Sequence, residues 1–472
     1  MSRSSLVILI ILGVTTLVLH FSFLSPKNTV VLTEHGFSPR EITVSVGDTV
    51  TFVNKRDKYF WPASDFHPTH TTYQEFDAQS ALAPHSSWSF TFERTGLFKY
   101  HDHLAPFYFG IVRVKDEQGN VIDNCTDRGG DLACWQDQIF VTLAENGISG
   151  AYDKIAELYE HEPTFASSCH FIAHNIGLSS YGFFLEDSES VVSPKASACA
   201  SGFYHGFMEA YLGATGDVVS AHDTCKYIGE ALGDEAPDAR LQCYHGIGHG
   251  AIELLIAEQG IFNSVGDMVS EALKQCEKAS SGDEERFRCA SGLYNGIANF
   301  YINGEYGLDI AKSDPLLLCR QQEKDLYKEA CYGNMNSVLF WMFDNNFEEA
   351  ALFTLKKVEN VYIPLAINYL AGLYASNSLP VFSSEDVIDD CKALGTFSSM
   401  CVEGFVQGLL EHGAPGEEYK KAIMFCDSTL LTSEEKDICY TESISRLSEW
   451  YSPETTVTIC TSLPNELKNY CK

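Results

Sequence analysis

Cys243-Tyr-His-Gly-Ile-Gly-His-Gly250 is the stretch that decides how most of this chain folds. Its frame, Cys-x2-Gly-x3-Gly, returns in Cys199-Ala-Ser-Gly-Phe-Tyr-His-Gly206, Cys289-Ala-Ser-Gly-Leu-Tyr-Asn-Gly296 and Cys401-Val-Glu-Gly-Phe-Val-Gln-Gly408. Variants start at Cys169, Cys331 and Cys439, and Leu370-Ala-Gly-Leu-Tyr374 reads as a copy without the cysteine. From Cys199 through Cys243 and Cys289 to Cys331 the spacings are 44, 46 and 42 residues, the length of a two-helix repeat in a superhelical array. Helical periodicity surrounds these copies, as in Ala251-Ile-Glu-Leu-Leu-Ile-Ala-Glu258, with Ser, Asp and Gly at the breaks. Glycine inside a helix costs about 1 kcal/mol against alanine. Two glycines four residues apart in each clear copy therefore point to close approach of neighbouring helix backbones. The repeat is expected to fill residues 119–472.

The cysteines agree with this plan. There are 16, none before Cys125, and they fall into consecutive pairs: 125/134, 169/199, 225/243, 276/289, 319/331, 391/401, 426/439 and 460/471. Thiolate metal sites favour tighter Cys-x2–4-Cys spacing, which is absent. An even count with regular local spacing reads as eight disulfides in an oxidising compartment. In general plan the array resembles tetratricopeptide-like helical arrays.

Ahead of the repeat, Ser5–Leu24 is a run of mostly apolar residues behind a weakly basic start. It is long enough to span a bilayer, so residues 1–27 are expected to be an uncleaved transmembrane signal anchor, a cleaved signal peptide being the competing reading. The expected location is membrane-anchored and extracytoplasmic, periplasmic or cell surface. Asn124-Cys-Thr126 fits a glycosylation acceptor. A formal charge of -32 repels phosphate backbones, so no nucleic-acid role is expected.

Between anchor and repeat, residues 28–118 alternate with period two: Ile42-Thr-Val-Ser-Val46, Thr49-Val-Thr-Phe-Val53, Trp88-Ser-Phe-Thr-Phe92, Leu97-Phe-Lys-Tyr100 and Ile111-Val-Arg-Val114. Short strands with turn residues between them argue a β-sandwich or barrel. Gly36-Phe-Ser-Pro-Arg-Glu-Ile-Thr-Val-Ser-Val-Gly-Asp-Thr-Val-Thr-Phe-Val-Asn54 resembles the opening strands of cupredoxins. Phe90 to Tyr100 and Gly110 to Val114 resemble their closing hairpin. The resemblance implies an all-β Greek-key sandwich. It fails at the blue-copper ligands: the family's thiolate position falls on Asp102, its histidines on Phe60 and Ala105, and its axial methionine on Tyr108. A type 1 centre needs the thiolate, so that centre is excluded.

Other histidines crowd the same loops. His67 and His70 lie in a long insert, and His101 and His103 end the penultimate strand, where i and i+2 share a face. If the insert folds over the barrel mouth, the four imidazoles converge on a divalent metal, copper above all, with Asp65, Asp102 and Glu75 as candidates to orient the rings. The alternative is ordinary loop hydrogen bonding in a dead copper fold.

In the repeat, only the first three copies carry histidine. His170 and His174, His205 and Glu209, and His245, His249 and Glu253 recur four residues apart, so each helix offers two or three ligands on one face. Zinc or iron suits such nitrogen and carboxylate donors. The competing reading is a polar slot, since later copies hold Asn295, Ser337 and Gln407 where His205 and His249 stand. The expected function is an extracytoplasmic metal-binding protein with histidine sites in both domains, copper-binding and redox-active in the first. The alternatives are a structural or protein-interaction scaffold whose acidic array binds a protein partner, and a metal-dependent hydrolase or oxygenase with Glu209 or Glu253 as base.

Overall fold

The computed structural model describes residues 28–121 and 132–471 except for positions 35, 66, 68–69, 71, 163–164, 200, 260–263, 304–307, 309–313, 380, 414–415, 448–450 and 452. The alternating runs form strands, as their β-branched and aromatic content favours. They are β1 (Thr29–Thr33), β2 (Gly36–Ser38), β3 (Glu41–Ser45), β4 (Thr49–Asn54), β5 (Pro62–Ser64), β6 (Ser87–Thr91), β7 (Gly96–Asp102) and β8 (Ala105–Lys115). One sheet has the order β2-β1-β4-β6 and the other β3-β8-β7-β5. The β1–β4 and β3–β8 pairs are parallel and the rest antiparallel. Residues of the two sheets meet in a core of Val30, Leu32, Val50, Phe52, Tyr100, Val112 and Val114, joined by Phe76 and Phe92 from the connections. Gly110 is required there, because a Cβ would lie 2.3 Å from the buried Tyr100 hydroxyl.

The rest of the described chain is helical. Helix α1 (Leu132–His161) breaks at Gly147, whose φ of 69° is one that glycine tolerates. Six helices then stack side by side with α2 (Cys169–Glu186): α3 (Gly202–Thr215), α5 (Ala239–Gln259), α7 (Asp283–Asn303), α9 (Asp325–Met342), α11 (Ile363–Ser378) and α13 (Ser398–His412). An outer layer is formed by α4 (Val218–Leu232), α6 (Val265–Lys278), α8 (Leu317–Arg320), α10 (Phe347–Lys357), α12 (Ser384–Ala393) and α14 (Glu418–Cys426). Helices α15 (Ser433–Tyr440) and α16 (Pro453–Ser462) follow.

The glycine frame does what its recurrence implied. A Cβ at the first glycine of each clear copy would collide with the preceding inner helix: Gly202 on the His170 carbonyl oxygen at 2.5 Å, Gly246 on Tyr204 at 2.2 Å, Gly292 on His245 at 1.8 Å and Gly404 on Asn368 at 2.0 Å. Cysteine and glycine have separate tasks. Glycine sets the distance between inner helices, and cysteine ties the outer layer on.

Seven disulfides join the expected neighbours, Cys169–Cys199, Cys225–Cys243, Cys276–Cys289, Cys319–Cys331, Cys391–Cys401, Cys426–Cys439 and Cys460–Cys471. Cys134 is also disulfide-bonded, whereas Cys125 and the Asn124 acceptor lie outside the described residues. So many disulfides belong to an oxidising, extracytoplasmic environment. The copy without cysteine, α11, is held to its neighbours by other means: Asn336 donates to the Ala366 carbonyl at 2.8 Å, and the rings of Phe347 and Tyr374 stack at 4.7 Å.

One part of the expected fold class is corrected. No helix among the described residues is long and apolar enough to cross a membrane. Helices of adequate length, such as α5 with its 21 residues, carry Arg240, His245, His249 and Glu253 and are buried against other helices instead. Among the described residues the architecture is a β-sandwich followed by a disulfide-bonded helical array, with no membrane-crossing helix. Residues 5–24, on which that expectation rested, lie outside the described residues.

Candidate metal centres

Strand β7 and the insert after β5 bring four imidazoles together. One nitrogen from each of His67, His70, His101 and His103 lies within 4.8 Å of all the others. Ala63 of β5 pairs with His101 of β7, which anchors the insert beside the strand end that carries His101 and the turn that carries His103. His70 has φ at 51°, a left-handed conformation costing about 1–2 kcal/mol in a non-glycine residue. Its carbonyl accepts from the Ser64 hydroxyl at 3.1 Å and its Nδ1 meets Asp77 at 2.8 Å, and these contacts hold it there.

Carboxylates set the tautomers. His70 donates through Nδ1 to Asp77, so a neutral ring presents a bare Nε2, which lies 3.0 Å from His103 Nδ1. His101 donates through Nδ1 to Asp65 at 2.9 Å, and its Nε2 has no hydrogen-bond partner among the described residues. His67 Nδ1 is likewise buried and unpartnered. Burial, then the neighbouring imidazoles, push His67 well below the usual histidine range and His103 down to about 3. His67 and His103 are therefore neutral at physiological pH, the form that binds metal. Burial alone would raise the Asp65 carboxyl, but Lys99 and His101 outweigh it and hold it below the ordinary value.

A second group forms where α3 and α5 pack. His205, His245 and His249 each bring a nitrogen within 4.8 Å of the other two. Their rings lie 4.5–5.2 Å apart, and His170 of α2 stands edge-on to His205 at 5.1 Å. The buried carboxylate of Glu209 lies 2.9 Å from His174 Nε2 and 3.2 Å from His249 Nδ1. His249 Nε2 and both ring nitrogens of His205 have no hydrogen-bond partner among the described residues. Burial and the adjoining rings push His205 and His245 well below the usual range.

Several expected roles are revised by the geometry. Asp102 orients no imidazole: it forms a buried ion pair with Arg56 and accepts from the Trp61 backbone N–H at 2.8 Å. Glu75 is exposed and pairs with Arg94 at 3.4 Å. His170 donates Nδ1 to the Cys199 carbonyl at 3.0 Å and is not among the residues that gather with His205, His245 and His249. Glu253 is not among the residues that gather with His205, His245 and His249. The positions that bear blue-copper ligands in cupredoxins hold core Phe60, the Arg56–Asp102 pair, Ala105 and Tyr108, whose hydroxyl donates to Glu34 O at 2.9 Å.

Asp77, Lys99 and Gln136 escaped the sequence reading. Asp77 and Gln136 have no periodicity that marks them. Lys99 had one signal, a lysine sharing a strand face with His101 in a strand buried throughout.

Neither a family model nor a curated relative matches the chain. Solved structures that resemble it are cupredoxins. The reduced state of an amicyanin mutant is 24% identical over 19% of this chain and 84% of that one, with a TM-score of 0.17. A purple cupredoxin from Nitrosopumilus maritimus is 20% identical over 19% of this chain and 99% of that one, with a TM-score of 0.16. At those scores the β-unit's fold rests on its own strand order and register, and the helical repeat has no assigned family.

Proposed function

We propose that this chain is an extracytoplasmic metal-binding protein with a cupredoxin-like β-unit, holding one ion on His67, His70, His101 and His103. A second ion is held on His205, His245 and His249, with Glu209 and His174 beside them. One observation carries the reading: carboxylates occupy Nδ1 of His70, His101 and His249, and inside these buried clusters Nε2 of His101 and of His249 has no hydrogen-bond partner among the described residues. That is the arrangement by which metal-binding histidines are oriented. A polar slot would pair both nitrogens, and His205 pairs neither among the described residues. Four imidazoles without thiolate favour Cu(II) in the β-unit, since affinities of nitrogen sites for divalent ions peak at copper. The three-imidazole group suits zinc or iron and leaves a coordination position open.

The test is elemental analysis of the whole chain with its disulfides intact, after exposure to copper, zinc and iron. Two tightly held ions are expected, one lost in the His67→Ala/His70→Ala variant and the other in His205→Ala/His249→Ala. Copper in the first site would give the electron spin resonance spectrum of a nitrogen-ligated centre without thiolate. Metal content at background in all three proteins would refute the reading and leave the interaction scaffold.

A further inference from the structure

The β-unit does not build its cluster alone. Asp65, whose Oδ1 accepts from His101 Nδ1 at 2.9 Å, has its other oxygen held from the helical side of the molecule. Oδ2 accepts from the Gln136 amide of α1 and from Lys99 Nζ at 2.9 Å. Lys99 in turn donates to the Ser179 hydroxyl of α2 at 3.0 Å and lies 3.5 Å over the Phe140 ring of α1. All the polar partners are out of water, with Asp65 2%, His101 1%, Lys99 5% and Gln136 1% exposed. A buried lysine needs an anion, and one carboxylate serves both it and the imidazole. Two helices of the array thus fix the position of the carboxylate that fixes the ring.

We propose that Gln136 and Lys99 are positioning residues for His101, so that the helical unit forms part of the β-unit's metal site. This rests on the reading of the four-histidine cluster as a metal site. Neither side chain touches the ion; each acts through Asp65, which sets the tautomer and tilt of His101. Loss of such outer partners typically weakens metal affinity about 10- to 100-fold.

The experiment uses the full chain carrying His205→Ala/His249→Ala, so that only the β-unit cluster is read, with Cu(II) as the probe. Copper affinity is measured by competition with a chelator, and the copper hyperfine splitting by electron spin resonance. Gln136→Met removes the amide donor while keeping bulk, and it leaves the Lys99–Asp65 pair to support folding. Lys99→Met removes the cation, and Lys99→Gln restores a neutral donor. Expected are a weakening of about 10- to 100-fold in both methionine variants with a changed hyperfine splitting, and partial recovery in Lys99→Gln. Circular dichroism identifies any variant that fails to fold, in which case Gln136→Met decides. Variants that bind copper like their parent, with an identical spectrum and only a lowered unfolding midpoint, would overturn the proposal and leave the metal site standing. A parent that binds no copper would overturn the site and the positioning role together.

Discussion

Arg56 and Asp102 form a buried ion pair in the sandwich. The carboxylate is fully buried, and burial raises its pKa while Arg56 and two backbone N–H groups oppose that rise. Removing one partner of a buried pair leaves an uncompensated charge, at a cost of about 3–5 kcal/mol. Arg56→Met is therefore expected to lower the denaturant midpoint severely, and Arg56→Met/Asp102→Leu to recover most of the loss. Glu418 gives a different signature. Burial raises its carboxyl from 4.5 to about 7. Between those values the native state holds a proton that the unfolded state has released, so stability falls as pH rises from 4.5 to 7. Glu418→Gln is expected to flatten that part of the stability profile and to raise stability at pH 8 by up to about 3 kcal/mol, measured by urea unfolding at each pH. A parallel profile in the variant would show that Glu418 does not titrate in this window.

At the level of elements, the inner helices are spaced by glycine. Gly404→Ala places a methyl group 2.0 Å from the Asn368 carbonyl oxygen, where only backbone can yield. Overpacking of that kind costs about 1–3 kcal/mol, more than the gain of about 1 kcal/mol from helix propensity. Gly266 lies in outer helix α6, and a Cβ there meets nothing nearer than Ser264 Oγ at 3.7 Å. Gly404→Ala should therefore unfold earlier and Gly266→Ala later than the parent. Equal shifts in thermal unfolding would show that glycine spacing is not what packs the array. These elements were legible in sequence because their signals are periodic: alternation for β3, β4, β6 and β8, and the cysteine–glycine frame for α3, α5, α7 and α13. Helix α11 was readable only in outline, since a neighbouring helix and a ring stack replace its disulfide.

Across the whole molecule, one histidine group belongs to the sandwich and the other to the helical array. An ion that binds only the folded state stabilises it by about 2.7 kcal/mol at a hundred times its dissociation constant. Stripping metal with a chelator is accordingly expected to lower the unfolding midpoint of the intact chain. The His67→Ala/His70→Ala and His205→Ala/His249→Ala proteins should each lose part of that shift. A midpoint indifferent to chelator would mean that neither group holds an ion in the fold.

By itself the sequence determined the local devices: which runs become strands, which cysteines neighbour each other, where glycine must recur, and which histidines recur along one helix. Those follow from spacing along one chain, which periodicity exposes. Only the tertiary structure decided the partners that come from elsewhere. Asp77, not Glu75, meets His70; Arg56 takes Asp102 away from the imidazoles; and Gln136 of α1 reaches Asp65. It also decided that His205, His245 and His249 gather. The physical reason is that burial makes each polar atom find a partner, and that partner is chosen by proximity in the packed core, where distance along the chain carries no weight.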